Sequence, residues 1–167
     1  MSHPTGIFSV MNVEVKRSTR RRKTVEARLV DGTLRVAIPA WMTAADEAHW
    51  VEVMSQRFSR RADAAETDLA ARANGLARRF DLPAPAAITW SNRQNTRWGS
   101  CSVDTGRIRI SDRLAGFPDW VIDYVIVHEL AHLIESGHNN PFWSLVNRYP
   151  LAERARGYLL ARADVGD

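Results

Sequence analysis

The chain has a single cysteine, Cys101, so no internal disulfide can form and a reducing, cytoplasmic setting is the expectation. Lysine is nearly missing: Lys16 and Lys23 are the only two, and arginine carries almost all of the positive charge. No run approaches the roughly 18 uninterrupted apolar residues that span a bilayer. The longest candidate, Trp120 to Val127, is broken by Asp123 and then meets histidines. The N-terminus has no basic segment followed by an apolar one, so neither a secretory signal nor a membrane partner is expected. What is present is the composition of a globular protein, 45% hydrophobic and 25% charged over 167 residues. That length suits one domain with its own core, expected over residues 11–167 behind a flexible tail at 1–10. Its parts are an N-terminal hairpin with helices over 11–82 and a second part over 86–163.

The formal net charge of +4 and a pI near 9.8 permit attraction to nucleic acid or acidic surfaces. The dense basic run is Lys16-Arg17-Ser18-Thr19-Arg20-Arg21-Arg22-Lys23. It reads either as a solvated turn between strands or as a phosphate-contacting patch with salt-dependent binding. No stacking aromatic is interleaved with it, which weakens the second reading for single strands.

Periodicity divides the chain. Val25, Ala27 and Leu29 alternate with polar residues; Asp31-Gly32 turns the chain; Leu34, Val36 and Ile38 then alternate again, which is a hairpin signal. Thr43 and Asp46 form a capping box ahead of an Ala-rich helical region that reaches Phe80, readable as two helices. Pro83 and Pro85 mark a connector. A second β unit covers 88–90, 97–103 and 107–110, turning at Asp104-Thr105-Gly106. Pro118 to Ser136 is helical and almost wholly apolar, hence buried. Asn139 and Asn140 can cap a further helix with Pro141 at its first position, and 151–163 forms the last helix. No internal repeat is visible in the residues.

The chemistry gathers at His128-Glu129-Leu130-Ala131-His132. Residues four apart share a helical face, so both imidazoles can reach one ion. Neutral imidazole suits zinc, although a three-histidine site accepts other divalent metals. Glu129 sits about 100° around the helix, where it can take a proton from a metal-activated water as general base. Two histidines and a glutamate in so apolar a helix are costly to bury without a joint purpose. For a third ligand the spacing favours His138, six residues after His132, with Gly137 able to end the helix in a left-handed conformation and swing His138 back. Glu153 on the next helical stretch is the rival, and Glu135 is less well placed.

Arg97-Trp98-Gly99-Ser100-Cys101-Ser102, then Asp123 through His132, then His138 and Pro141-Phe142-Trp143 resemble the YgjP-like metallopeptidase family, which is related to the SprT-like and WLM groups of zinc peptidases. The resemblance covers about Val13 to Leu160. It implies an α+β, zincin-like peptidase in which a small sheet with the N-terminal hairpin packs beside a buried active-site helix. It also implies that His128, His132 and His138 bind one Zn2+ and that Glu129 is the base. Asn139 stands where the family usually carries serine; either residue can cap a helix.

Gly99 permits close approach of another backbone, so its strand is a candidate to receive an extended peptide; equally, Trp98 can be a core anchor and Gly99 a bulge. Cys101 reads as a buried free thiol rather than a ligand. Tyr124 and Tyr149 are candidate donors to a tetrahedral oxyanion. The expected partner is a peptide or protein substrate. Two other readings stand beside the peptidase: a nucleic-acid-associated, SprT-like protease, and a non-catalytic binding module stabilised by its metal.

Overall fold

The computed structural model describes residues 12–94 and 96–163; the tail expected at 1–10 lies outside them. The described residues form two compact units divided between Ser59 and Arg60. That division falls inside a helix, whereas the sequence places the joint at the Pro83–Pro85 connector.

In the first unit β1 (Asn12–Ser18), β2 (Glu26–Val30) and β3 (Thr33–Pro39) make one sheet, ordered β1-β3-β2. Asp31 and Gly32, with φ of 49° and 74°, turn β2 into β3 as the Asp-Gly pair requires. On β3 the alternation holds: Leu34, Val36 and Ile38 are fully buried and form a core with Met42 and Met54. The helix α1 (Ala44–Glu66) opens on the expected capping box. The Asp46 N–H donates to Thr43 Oγ1 at 3.1 Å while the Thr43 N–H donates to Asp46 Oδ2 at 2.9 Å, so two otherwise orphaned donors are satisfied reciprocally. The basic run begins on β1 and continues into the β1–β2 connection. Arg17 pairs with Glu47 and Arg21 with Glu26. An aromatic does stand beside this run, supplied from outside it. Trp41, 65% exposed, donates its indole N–H to Arg22 O at 2.9 Å.

In the second unit α2 (Leu69–Phe80) is capped by Asp68, whose Oδ1 accepts from the Ala71 N–H at 2.9 Å. A second sheet follows: β4 (Ala87–Ser91), β5 (Gly99–Ser102) and β6 (Arg107–Ser111), ordered β4-β6-β5. Three helices complete the unit, α3 (Asp119–Ala131), α4 (Asn140–Val146) and α5 (Ala152–Ala163). The class is therefore α+β, with two small mixed sheets and five α-helices among the described residues. Ile88, Ile108 and Ile110 face a core shared with α2, α3, α4 and α5. Most of α3 is buried, and its apolar character all round follows from packing against α2, α4, α5, β5 and β6. Asp123 interrupts that character because Arg72 reaches it from α2. Arg72 Nε donates to Asp123 Oδ1 at 2.6 Å and Nη1 to Asp119 Oδ1 at 2.9 Å. Among the described residues no helix is long and apolar enough to cross a membrane.

Four further expectations change. The sheet packed on α3 is β4-β6-β5, and the N-terminal hairpin belongs to the first unit. The helix expected to reach Ser136 stops at Ala131. Its last turn tightens through bonds from the Leu133 N–H to Leu130 O at 3.1 Å and from the Ile134 N–H to Ala131 O at 3.0 Å. Gly137 is not among the described residues with positive φ, so the chain turns through that tightened segment and not through a left-handed glycine. Asn139 alone caps α4, its Oδ1 accepting from the Phe142 N–H at 3.0 Å, and Pro141 stands second in the helix.

Candidate metal centre

Three imidazoles meet at the end of α3. His128 lies in its last turn, His132 caps it in helical conformation, and His138 arrives from the segment before α4. One ring nitrogen from each lies within 4.8 Å of the other two. His128 Nε2 and His138 Nε2 stand 3.2 Å apart. Two nitrogens on a tetrahedral zinc at the usual ~2.0–2.1 Å stand about 3.3 Å from one another. His132 Nδ1 lies 3.1 Å from Glu135 O, and since a carbonyl only accepts, Nδ1 carries the proton and Nε2 keeps a free lone pair. Burial, followed by the neighbouring imidazoles, pushes the pKa of His128 down to about 3, and burial also lowers that of His132. Both are neutral near pH 7, the state a metal ligand needs. The donor set thus fits a divalent ion taken by nitrogen.

Behind the rings stands Phe142, fully buried on α4. Its ring centroid lies 4.4 Å from that of His132, 4.7 Å from His138 and 4.9 Å from His128. Trp143 donates its indole N–H to His138 O at 3.1 Å. The segment holding His138 is therefore anchored by α4, which explains how a short loop brings this imidazole to the other two without a special glycine.

Glu129 is 5% exposed, one of only two buried polar or charged residues among those described. Burial pushes its pKa up to about 8, with the Arg97 charge opposing. Its seat is made by β5. A methyl group placed on Gly99 would lie 2.5 Å from Glu129 Oε1 and 2.8 Å from its Cγ. Gly99 pairs with Ile110 in regular register, so it is not a bulge; the close approach it permits is already used by Glu129. The loop before β5 is fixed by Ser111, whose N–H donates to Trp98 O at 2.8 Å and whose hydroxyl donates to Gln94 O at 3.0 Å.

A cavity of about 650 Å³ joins these groups, lined among others by Trp98, Gly99, Tyr124, Glu129 and the three histidines. Trp98 is half-buried, tilted against Phe117 at 5.6 Å. Tyr124 is buried, its ring 6.1 Å from that of His128, and burial pushes its pKa up to about 12. Tyr149 is not among the lining residues, and its hydroxyl donates to Trp120 O at 2.9 Å. Cys101 also lines the cavity, half-buried rather than buried, with burial and Glu129 raising its pKa. Glu153 lies outside the histidine group, with its Oε1 accepting from Arg156 Nη1 at 2.8 Å; Glu135 contributes its backbone carbonyl instead of its carboxylate. Arg156 carries no sequence signal of its own, and Phe142 only that of the Pro141-Phe142-Trp143 resemblance. Their placement depends on helices that follow the motif.

Fold and cluster together define a class, an α+β protein with a three-histidine group suited to a metal ion. The chain matches the family described as YgjP-like, metallopeptidase domain, over residues 31–160, and it belongs to that family. No curated protein and no solved structure matches it.

Proposed function

We propose that the chain is a zinc-dependent peptidase in which His128, His132 and His138 hold the ion and Glu129 is the general base. The observation that carries this reading is the 3.2 Å approach of His128 Nε2 to His138 Nε2 in a cavity that Glu129 also lines. When bound, zinc supplies Lewis acidity toward a carbonyl and brings the pKa of water toward neutrality. Glu129 would take a proton from the attacking water and pass it to the leaving amine. Its buried seat against Gly99 limits the carboxyl to few positions, so little orientation entropy is left to lose. Tyr124, a phenol at neutral pH, lines the cavity and is a candidate donor to a developing oxyanion. As an edge strand, β5 offers a row of backbone groups along the cavity to an extended substrate.

The test is Glu129→Gln. We expect stoichiometric zinc to be retained and peptide hydrolysis to fall by ~10²–10⁴. Parental turnover by that variant overturns the assignment. Retained zinc with no hydrolysis of any peptide by the parent, combined with unfolding on chelation, favours the metal-stabilised binding module.

A second reading, a nucleic-acid-associated peptidase, is favoured by the bond from the exposed Trp41 indole to the backbone carbonyl of Arg22, within the basic run. Stacking on an indole together with unscreened cations is how single strands are held. Binding of a labelled oligonucleotide should weaken with salt and on Trp41→Ala; indifference to both removes this reading.

A further inference from the structure

Three ionisable side chains of the acid or guanidinium type line the cavity: Glu129, Arg97 and Arg156. Glu129 is buried and belongs to the proton chemistry, so the fixed charge left facing a ligand is cationic. Of the two arginines, Arg156 is the better held. Its guanidinium carbon lies 4.8 Å from the centroid of the Trp143 ring, while Nη1 donates to Glu153 Oε1 at 2.8 Å. Trp143 is itself bonded to His138 O. One indole therefore fixes the guanidinium at a set distance from the imidazole cluster. The Glu153 partner is 78% exposed, so it is hydrated and exchanges at little cost. Beside Arg156 the wall is apolar. Leu159 and Leu160 follow on α5, Val103 also lines the cavity, and Leu160 and Val103 are 66% and 48% exposed. Large aliphatic side chains left open on a cavity rim mark a place where a ligand covers them.

The geometry points to a carboxylate-binding subsite: Arg156 anchors a substrate carboxylate, with Val103, Leu159 and Leu160 receiving the aliphatic part next to it. This rests on the peptidase reading and narrows it to peptides carrying a negative charge at a fixed reach from the scissile bond. A guanidinium pinned by an aromatic face loses little freedom on binding, and its planar fork matches a carboxylate bidentately. The carboxylate has two sources, the C-terminus of a peptide or an acidic side chain within one.

Two peptide pairs separate these sources: leucine-terminated hexapeptides with a free or an amidated C-terminus, and end-blocked hexapeptides with Glu or Gln at matched positions. The readout is the ratio of kcat/KM within each pair, measured with the zinc-loaded full-length protein. We expect a preference of about tenfold or more for the charged member of one pair, carried in KM. That ratio should fall to near one in Arg156→Ala and be partly kept in Arg156→Lys. A parental ratio near one in both pairs, or one that survives Arg156→Ala, overturns the subsite. If the parent cleaves neither pair, the peptidase reading falls. The subsite is then decided by calorimetric titration of the same peptides into zinc-loaded Glu129→Gln protein, where equal affinity within both pairs removes it and tighter binding of a charged member upholds it.

Discussion

The two sheets share one plan. In each, the third strand in sequence lies in the centre, parallel to the first and antiparallel to the second, and a helix follows. They differ at the strand that forms the antiparallel edge. In the first sheet Ala27 and Leu29 oppose Val36 and Leu34, whereas in the second Gly99 and Cys101 oppose Ile110 and Ile108. The smaller pair leaves the space that Glu129 fills from α3. One plan thus builds a structural core in one place and seats a carboxyl beside metal-suited imidazoles in the other. The difference comes down to a missing Cβ.

Gly99→Ala breaks the comparison most directly. The new methyl displaces the Glu129 side chain, and we expect kcat to fall by about tenfold to a hundredfold with zinc content kept. Ala27→Val at the edge of the first sheet should leave kcat within about twofold. Equal losses in the two variants contradict a special seat for Glu129.

Next come the two cores. Phe142→Ala removes a fully buried ring touching all three imidazoles, so we expect ~3–5 kcal/mol lost in denaturant titration together with weakened zinc affinity. Met54→Ala in the first core should cost ~2–5 kcal/mol and leave zinc affinity unchanged.

A pH series sharpens the contrast further. With its pKa at about 8 instead of 4.5, Glu129 keeps its proton in the folded metal-free protein where the unfolded chain has lost it. Its contribution to stability is whole below pH 4.5 and is lost as pH rises through 8, on the order of a few kcal/mol. Thermal melts in chelator should show Glu129→Gln gaining on the parent across that window, and a constant difference refutes the burial argument. The smallest effects concern ion pairs. Arg72→Ala, which strips Asp119 and Asp123 of a half-buried partner, should cost ~1–2 kcal/mol. Arg35→Ala, whose Glu14 pair is exposed, should cost less than about 1 kcal/mol.

Local chemistry was legible in the residues. The Asp31-Gly32 turn, the Thr43–Asp46 box and the face shared by His128 and His132 all follow from neighbours within four positions. Pairings between distant segments were not. Parallel contact of β1 with β3, and of β4 with β6, joins segments about twenty residues apart and leaves no period to read, so the shared plan of the sheets is invisible in sequence. Gly99 was noticed as a point of close approach, but its occupant comes from a helix thirty residues on. The spacing brings His138 back through a glycine turn, whereas in the fold its position is set by Phe142 and Trp143.

The early stop of α3 also selects a proton. Had the helix run on to Ser136, the Glu135 carbonyl would point down its axis toward the following turn. Because the backbone leaves the helix after Ala131, that carbonyl meets His132 Nδ1 and holds the ring in the tautomer with Nε2 bare. Substitutions over Leu133 to Ser136 that favour helix would therefore strengthen the secondary structure and at the same time turn the His132 lone pair away from the other two imidazoles, trading thermal stability against affinity for the proposed metal in one short stretch.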